Sequence, residues 1–128
     1  MRKLWSLAVL MFAAVAAMGA QQTGFSRTVL QQVDISAPGR EAVTARAEFS
    51  AVGASVGRHT HFGEEVGYVQ EGTLSVEIDG VTKAVKAGEA FIIPNGKPHN
   101  ATNAGPGKAS IVVTYIVEKG KPLATPVK

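Results

Sequence analysis

Along residues 43–49, apolar Val43, Ala45, Ala47 and Phe49 alternate with Thr44, Arg46 and Glu48. This is the period of two expected of a strand with one buried face. Leu74-Ser75-Val76-Glu77-Ile78 repeats the alternation, Asp79-Gly80 follows, and Val81 to Val85 returns. An Asp-Gly pair between two such runs predicts a hairpin with a two-residue turn. Strand composition recurs over Thr28–Ile35, Glu65–Gln70, Phe91–Ile93 and Ala109–Val117. Turn residues separate these runs at Ala37-Pro38-Gly39-Arg40, Glu71-Gly72, Lys86-Ala87-Gly88-Glu89, Asn95-Gly96-Lys97-Pro98 and Asn103–Gly107. Gln21–Ser26 reads as polar and without regular structure, and Glu118–Lys128, with Pro122 and Pro126, as a tail extended against the body. No segment beyond the first twenty residues has a useful helical period. Roughly seven to nine short strands at regular spacing predict an all-β sandwich or barrel.

Composition narrows the setting. A chain of 128 residues has room for one core. Met1-Arg2-Lys3 precedes an apolar run from Leu4 to Ala17 whose one polar residue is Ser6, and Ala17-Met18-Gly19-Ala20 offers small residues for cleavage. Residues 1–20 are therefore read as a Sec-type signal peptide and 21–128 as the mature domain, periplasmic or secreted. The run is too short for the ~20 residues of a membrane span, so no stable anchor is expected after cleavage. Removing Arg2 and Lys3 lowers the 13 basic residues to 11 against 10 acidic ones. The near-neutral balance, with no Lys/Arg cluster, argues against a nucleic-acid partner. With no cysteine, stability must come from the core and from any bound metal.

Candidate chemistry concentrates in His59-Thr60-His61-Phe62-Gly63-Glu64-Glu65 and in His99, which hold all 3 histidines of the chain. Two residues apart on extended backbone, His59 and His61 point to one face. Glu65 can return a carboxylate to the same space, and His99 would come from another strand. Three imidazoles and a carboxylate form a borderline nitrogen and oxygen set that suits one divalent transition metal, Mn, Fe, Ni, Cu or Zn.

The wider spacing carries a resemblance. Gly53, five residues, His59, one residue, His61, three residues, Glu65, six residues and Gly72 form one motif. Gly88, five residues, Pro94, one residue, Gly96, two residues, His99, three residues and Asn103 form a second, and fifteen residues separate the two. This resembles the two motifs of the cupin superfamily at every defining position, and is closest to small single-domain exported cupins likened to quercetin dioxygenases. The resemblance implies a double-stranded β-helix, or jelly roll, with His59, His61, Glu65 and His99 as metal ligands. In an octahedral set, about two positions would stay open for water, dioxygen or substrate.

Around this set the expectations are mostly structural. Gly72, Gly80, Gly88, Gly96 and Pro94 shape turns, and Asn103 caps one. Glu64 and Arg58 face outward, and Tyr68 packs in the core. Phe91, Ile93, Val113 and Tyr115 have the spacing to line an apolar cavity. The leading expectation is a metal-dependent, dioxygenase-like enzyme on a small organic substrate, with Glu65 as the catalytic base. Decarboxylation, isomerisation, or a non-catalytic module binding a sugar, another small molecule or metal are the alternatives. A homodimer is expected because an open jelly-roll sheet exposes an edge that residues 27–36 could pair with a partner.

Overall fold

The strictest alternation in the chain, Ala109 to Val117, buries Ala109, Ile111, Val113, Tyr115 and Val117 and leaves the residues between them partly exposed. A computed structural model describes residues 24–128, so the proposed signal peptide lies outside the described residues. The strands are β1 (Phe25–Asp34), β2 (Arg40–Phe49), β3 (His59–Thr60), β4 (Gly63–Glu71), β5 (Thr73–Ile78), β6 (Val81–Lys86), β7 (Ala90–Ile93), β8 (His99–Asn103), β9 (Ala109–Glu118) and β10 (Thr125–Pro126).

They form two five-stranded antiparallel sheets, ordered β1-β2-β9-β4-β7 and β10-β3-β8-β5-β6. This is the all-β jelly roll anticipated from the turn spacing. Val43, Ala45, Ala47 and Phe49 of β2 and the buried residues of β9 supply one wall of the core, facing Leu74, Val76, Val85 and Ala101 of the other sheet. Asp79 and Gly80 both have positive φ, 49° and 85°, as a two-residue turn matched to strand twist requires. Gly72 also has positive φ, and a Cβ there would lie 2.5 Å from the Lys108 carbonyl oxygen. Any side chain would therefore push the β4–β5 connection off the start of β9.

Three details differ from the sequence reading. The described residues hold ten strands, more than expected, because β3 and β10, of two residues each, are too short to carry a period. Phe25 and Ser26, expected to be irregular, open β1 and pair with Phe49 and Glu48. Tyr68 is not core: inward Glu65 sets the pleat of β4, so Gly67 and Val69 follow inward and Tyr68 is 49% exposed on the outer face. The tail does extend against the body. Thr125 and Pro126 pair with Thr60 and His59, and the Val127 amide donates to the Arg58 carbonyl at 3.0 Å.

Candidate metal centre

β3 and β8 run antiparallel with His59 directly opposite His99, which brings their imidazole centroids to 4.2 Å with the rings tilted by 54°. His61 follows β3 and brings its ring 4.7 Å from His59 and 4.9 Å from His99. Glu65 arrives from the other sheet, on β4, between Ile93 of β7 and Tyr115 of β9. The centre is thus built across the two sheets. All four side chains are buried, and one donor atom from each lies within 4.8 Å of every other.

Three backbone carbonyls decide how the imidazoles present themselves. Nδ1 of His59 lies 2.6 Å from the Gly57 oxygen, Nδ1 of His61 2.6 Å from the Leu123 oxygen, and Nδ1 of His99 2.8 Å from the Lys97 oxygen. A carbonyl oxygen only accepts, so each Nδ1 carries the proton and donates. In the neutral ring, Nε2 is then a bare lone pair. These lone pairs face one another and the carboxylate: His59 Nε2 to His61 Nε2 is 3.1 Å, His61 Nε2 to Glu65 Oε2 3.0 Å, and His99 Nε2 to Glu65 Oε2 3.1 Å. Acceptors converging on acceptors need a cation between them. A proton can join only one pair at a time, whereas a metal ion satisfies all four, and fixing the far ring nitrogen is how metal-binding histidines are usually oriented.

The electrostatics agree. Burial lowers the His59 pKa to about 4 against the Gly57 hydrogen bond, so the ring is neutral and ready to ligate near neutral pH. Burial alone would raise the Glu65 carboxyl, but in the absence of an ion a proton shared between it and the facing Nε2 atoms of His61 and His99 outweighs burial and holds the group at about 2. Glu65 is therefore ionised. The Tyr115 phenol is pushed up, first by burial and then by the Glu65 charge, so it stays protonated.

A narrow cavity opens onto this centre. Phe91, Ile93 and Tyr115 line it as expected. Val113 is instead packed in the core, 1% exposed, among the other buried residues of β9. The sequence reading missed Phe25 and Arg27, which also line the cavity. Their signal was the alternation of Phe25 and Arg27 with Ser26 and Thr28, hidden by the polar composition of residues 21–26. Glu64 and Arg58 lie off the site, and Arg58 faces Glu77 at 3.5 Å. Asn103 caps its turn from within: Nδ2 donates to the Phe49 and Gly107 carbonyls, and Oδ1 accepts from the Gly105 amide at 2.8 Å.

A two-sheet jelly roll with a buried metal-binding group of three histidines and one glutamate defines a class of protein. The chain belongs to the cupin family: the family profile described as a cupin domain matches residues 49–115. Among solved structures it is similar to a cupin superfamily protein from Desulfitobacterium hafniense, with 17% identity and a TM-score of 0.63 over 79% of this chain and 84% of that one. It is also similar to oxalate oxidase in complex with the substrate analogue glycolate, with 28% identity and a TM-score of 0.66 over 84% of this chain. The alignment spans only 57% of that oxidase. A third likeness is to the polyketide cyclase RemF from Streptomyces resistomycificus, with 27% identity and a TM-score of 0.63 over 83% of this chain and 72% of that one. No curated protein sequence matches the chain.

Proposed function

We propose that this cupin is a metal-dependent enzyme acting on a small organic molecule, with a dioxygenase-like reaction. The observation that carries this reading is the convergence of three imidazoles and Glu65 on one point, with His59, His99 and Glu65 opening onto a cavity of otherwise largely apolar walls. His59, His61, Glu65 and His99 would hold one divalent transition metal, Mn, Fe, Ni, Cu or Zn. Such an ion would supply Lewis-acid or redox chemistry at the cavity floor. Glu65 is the one carboxylate on the cavity wall and would act both as ligand and as the base that takes a substrate proton. Phe91, Ile93 and Tyr115 would exclude water around the substrate. The likeness to an oxalate oxidase and a polyketide cyclase supports small-molecule chemistry at this position.

One observation favours a second reading, a non-catalytic binding module. Apart from the four ligands, the ionisable residues lining the cavity are Arg27 and Tyr115, and neither is a base near neutral pH. Elemental analysis of protein purified from its own compartment, with oxygen-uptake and decarboxylation assays on a panel of small acids and phenols, separates the two. His61→Ala should lose bound metal and turnover together. Turnover by the metal-free variant would sink the enzyme reading, and metal binding without turnover across the panel would favour the module.

Two further proposals concern setting. Residues 1–20 have the composition that supports export to the periplasm or medium, which cleavage at Gly19 or Ala20 in secreted protein would test. Exposed Val29, Leu30 and Val33 on edge strand β1 support a homodimer, and light scattering at micromolar concentration would test it.

A further inference from the structure

Arg27 occupies an inward position on β1, opposite Ala47, whose small side chain leaves room for the guanidinium to enter the cavity. Two rings hold it: its Cζ lies 5.4 Å from the Phe25 centroid and 5.6 Å from the Tyr115 centroid. The Tyr115 ring in turn packs 4.7 Å from the His61 ring. Arg27 therefore shares a wall with the metal centre.

What it lacks is an anion. Nε is buried with no hydrogen-bond partner, and among the described residues no carboxylate lies within ion-pair distance of Arg27. Residues 1–23 contain no Asp or Glu that could reach it. A buried donor on a permanently charged group is costly to leave unpaired. The aromatic faces and the Tyr115 hydroxyl compensate for part of the charge, but Nε keeps no acceptor. The planar fork matches a carboxylate in two parallel hydrogen bonds. Charge points the same way: a divalent ion held by one carboxylate leaves the centre positive, and the guanidinium adds a second positive charge to the same small cavity.

We infer that Arg27 receives a carboxylate of the substrate, so that the substrate class is a small organic acid with a second oxygen near the metal centre. The inference rests on the metal-dependent reading above and adds to it the substrate's charge and its anchoring residue. Phe25 and Tyr115 position the guanidinium, and Arg27 itself is a specificity-determining residue.

The test is calorimetric binding of glycolate, oxalate and pyruvate, and of glycolamide and pyruvamide as uncharged counterparts, to metal-loaded and metal-free full-length protein. Wild type is compared with Arg27→Met, which keeps an apolar stem, and Arg27→Lys, which keeps charge without the fork. At least one acid should bind wild type more tightly than its amide, and Arg27→Met should weaken that acid about 10- to 100-fold with metal stoichiometry unchanged. Arg27→Lys should fall between them, and it serves as the readout if the Met variant fails to fold. Equal affinity for the acid in wild type and the folded variants would overturn the inference, as would tighter binding of inorganic phosphate than of every acid. Wild type that takes up no metal would overturn the metal-dependent reading instead, and acid binding to the metal-free chain would still report on Arg27.

Discussion

The Nδ1–H of His61 donates to the carbonyl oxygen of Leu123 at 2.6 Å, so a residue near the end of the chain fixes which ring nitrogen faces the metal centre. β10 holds Leu123 in place by pairing with β3, and the Leu123 side chain packs against the core. Deleting residues 121–128 would release His61 to rotate or change tautomer without removing a fully buried core residue. The shortened chain should stay folded and bind metal about 10- to 100-fold more weakly. Competition with a chromogenic chelator measures this directly, and unchanged affinity would show that packing against Tyr115 alone orients the ring.

Glu65 supplies the only negative charge among the four ligands, at 3.0 Å from His61 Nε2 and 3.1 Å from His99 Nε2. Glu65→Gln keeps the shape, removes the charge, and provides an amide N–H that can donate to a bare imidazole nitrogen. Its metal-free form should therefore stay folded. The rise in melting temperature that metal gives wild type should shrink sharply in the variant, because ligand binding stabilises only through affinity for the folded state. Differential scanning calorimetry with and without added Mn²⁺ or Zn²⁺ checks both halves.

Much of this arrangement is legible in the sequence. The alternation in β2 and β9 marked their buried faces, and Asp79-Gly80 marked a turn whose two positive φ values few other pairs tolerate. Ligand spacing identified the four side chains that meet. The rest was hidden for physical reasons. Carbonyl oxygens of Gly57, Lys97 and Leu123 orient the imidazoles, and a backbone acceptor leaves no trace in residue type. Arg27 drew no notice because its inward position depends on pairing with Ala47, twenty residues away. Tyr68 was misplaced even though the pleat starting from Glu65 already sends it outward.

Acid should destabilise the metal-free protein in two overlapping windows. The His59 pKa falls from 6.5 to about 4 on folding, so between those values the unfolded chain binds a proton that the folded chain refuses. Its contribution is complete above the unfolded pKa and is lost as pH falls towards 4. The Glu65 pKa falls from 4.5 to about 2, so its contribution is present above 4.5 and is lost as pH falls towards 2. Both terms therefore weaken the fold on acidification, the His59 term by an order of 3 kcal/mol across its window. Urea denaturation of chelator-treated protein at pH 7, 6, 5 and 4 should show falling stability. His59→Asn should flatten that fall between pH 6.5 and 4, and an equal slope in the variant would remove His59 as its source.

Gly67 and Phe91 face each other across β4 and β7, and the Phe91 ring lies over the glycine where a side chain would stand. A Cβ at position 67 would come 2.1 Å from Phe91 Cζ and 2.4 Å from Cε1. Gly67→Ala must therefore push the ring out of the cavity wall or shift the strand, and overpacking of this kind costs about 1–3 kcal/mol. In a Phe91→Ala background the same substitution loses those clashes and gains the better strand propensity of alanine, so its cost should fall to a few tenths of a kcal/mol or change sign. The coupling between the two substitutions, read from urea midpoints of the four variants, should account for most of the single-mutant loss. Additive losses would mean that the ring yields freely, and that the wall it forms beside the metal centre is soft rather than fixed.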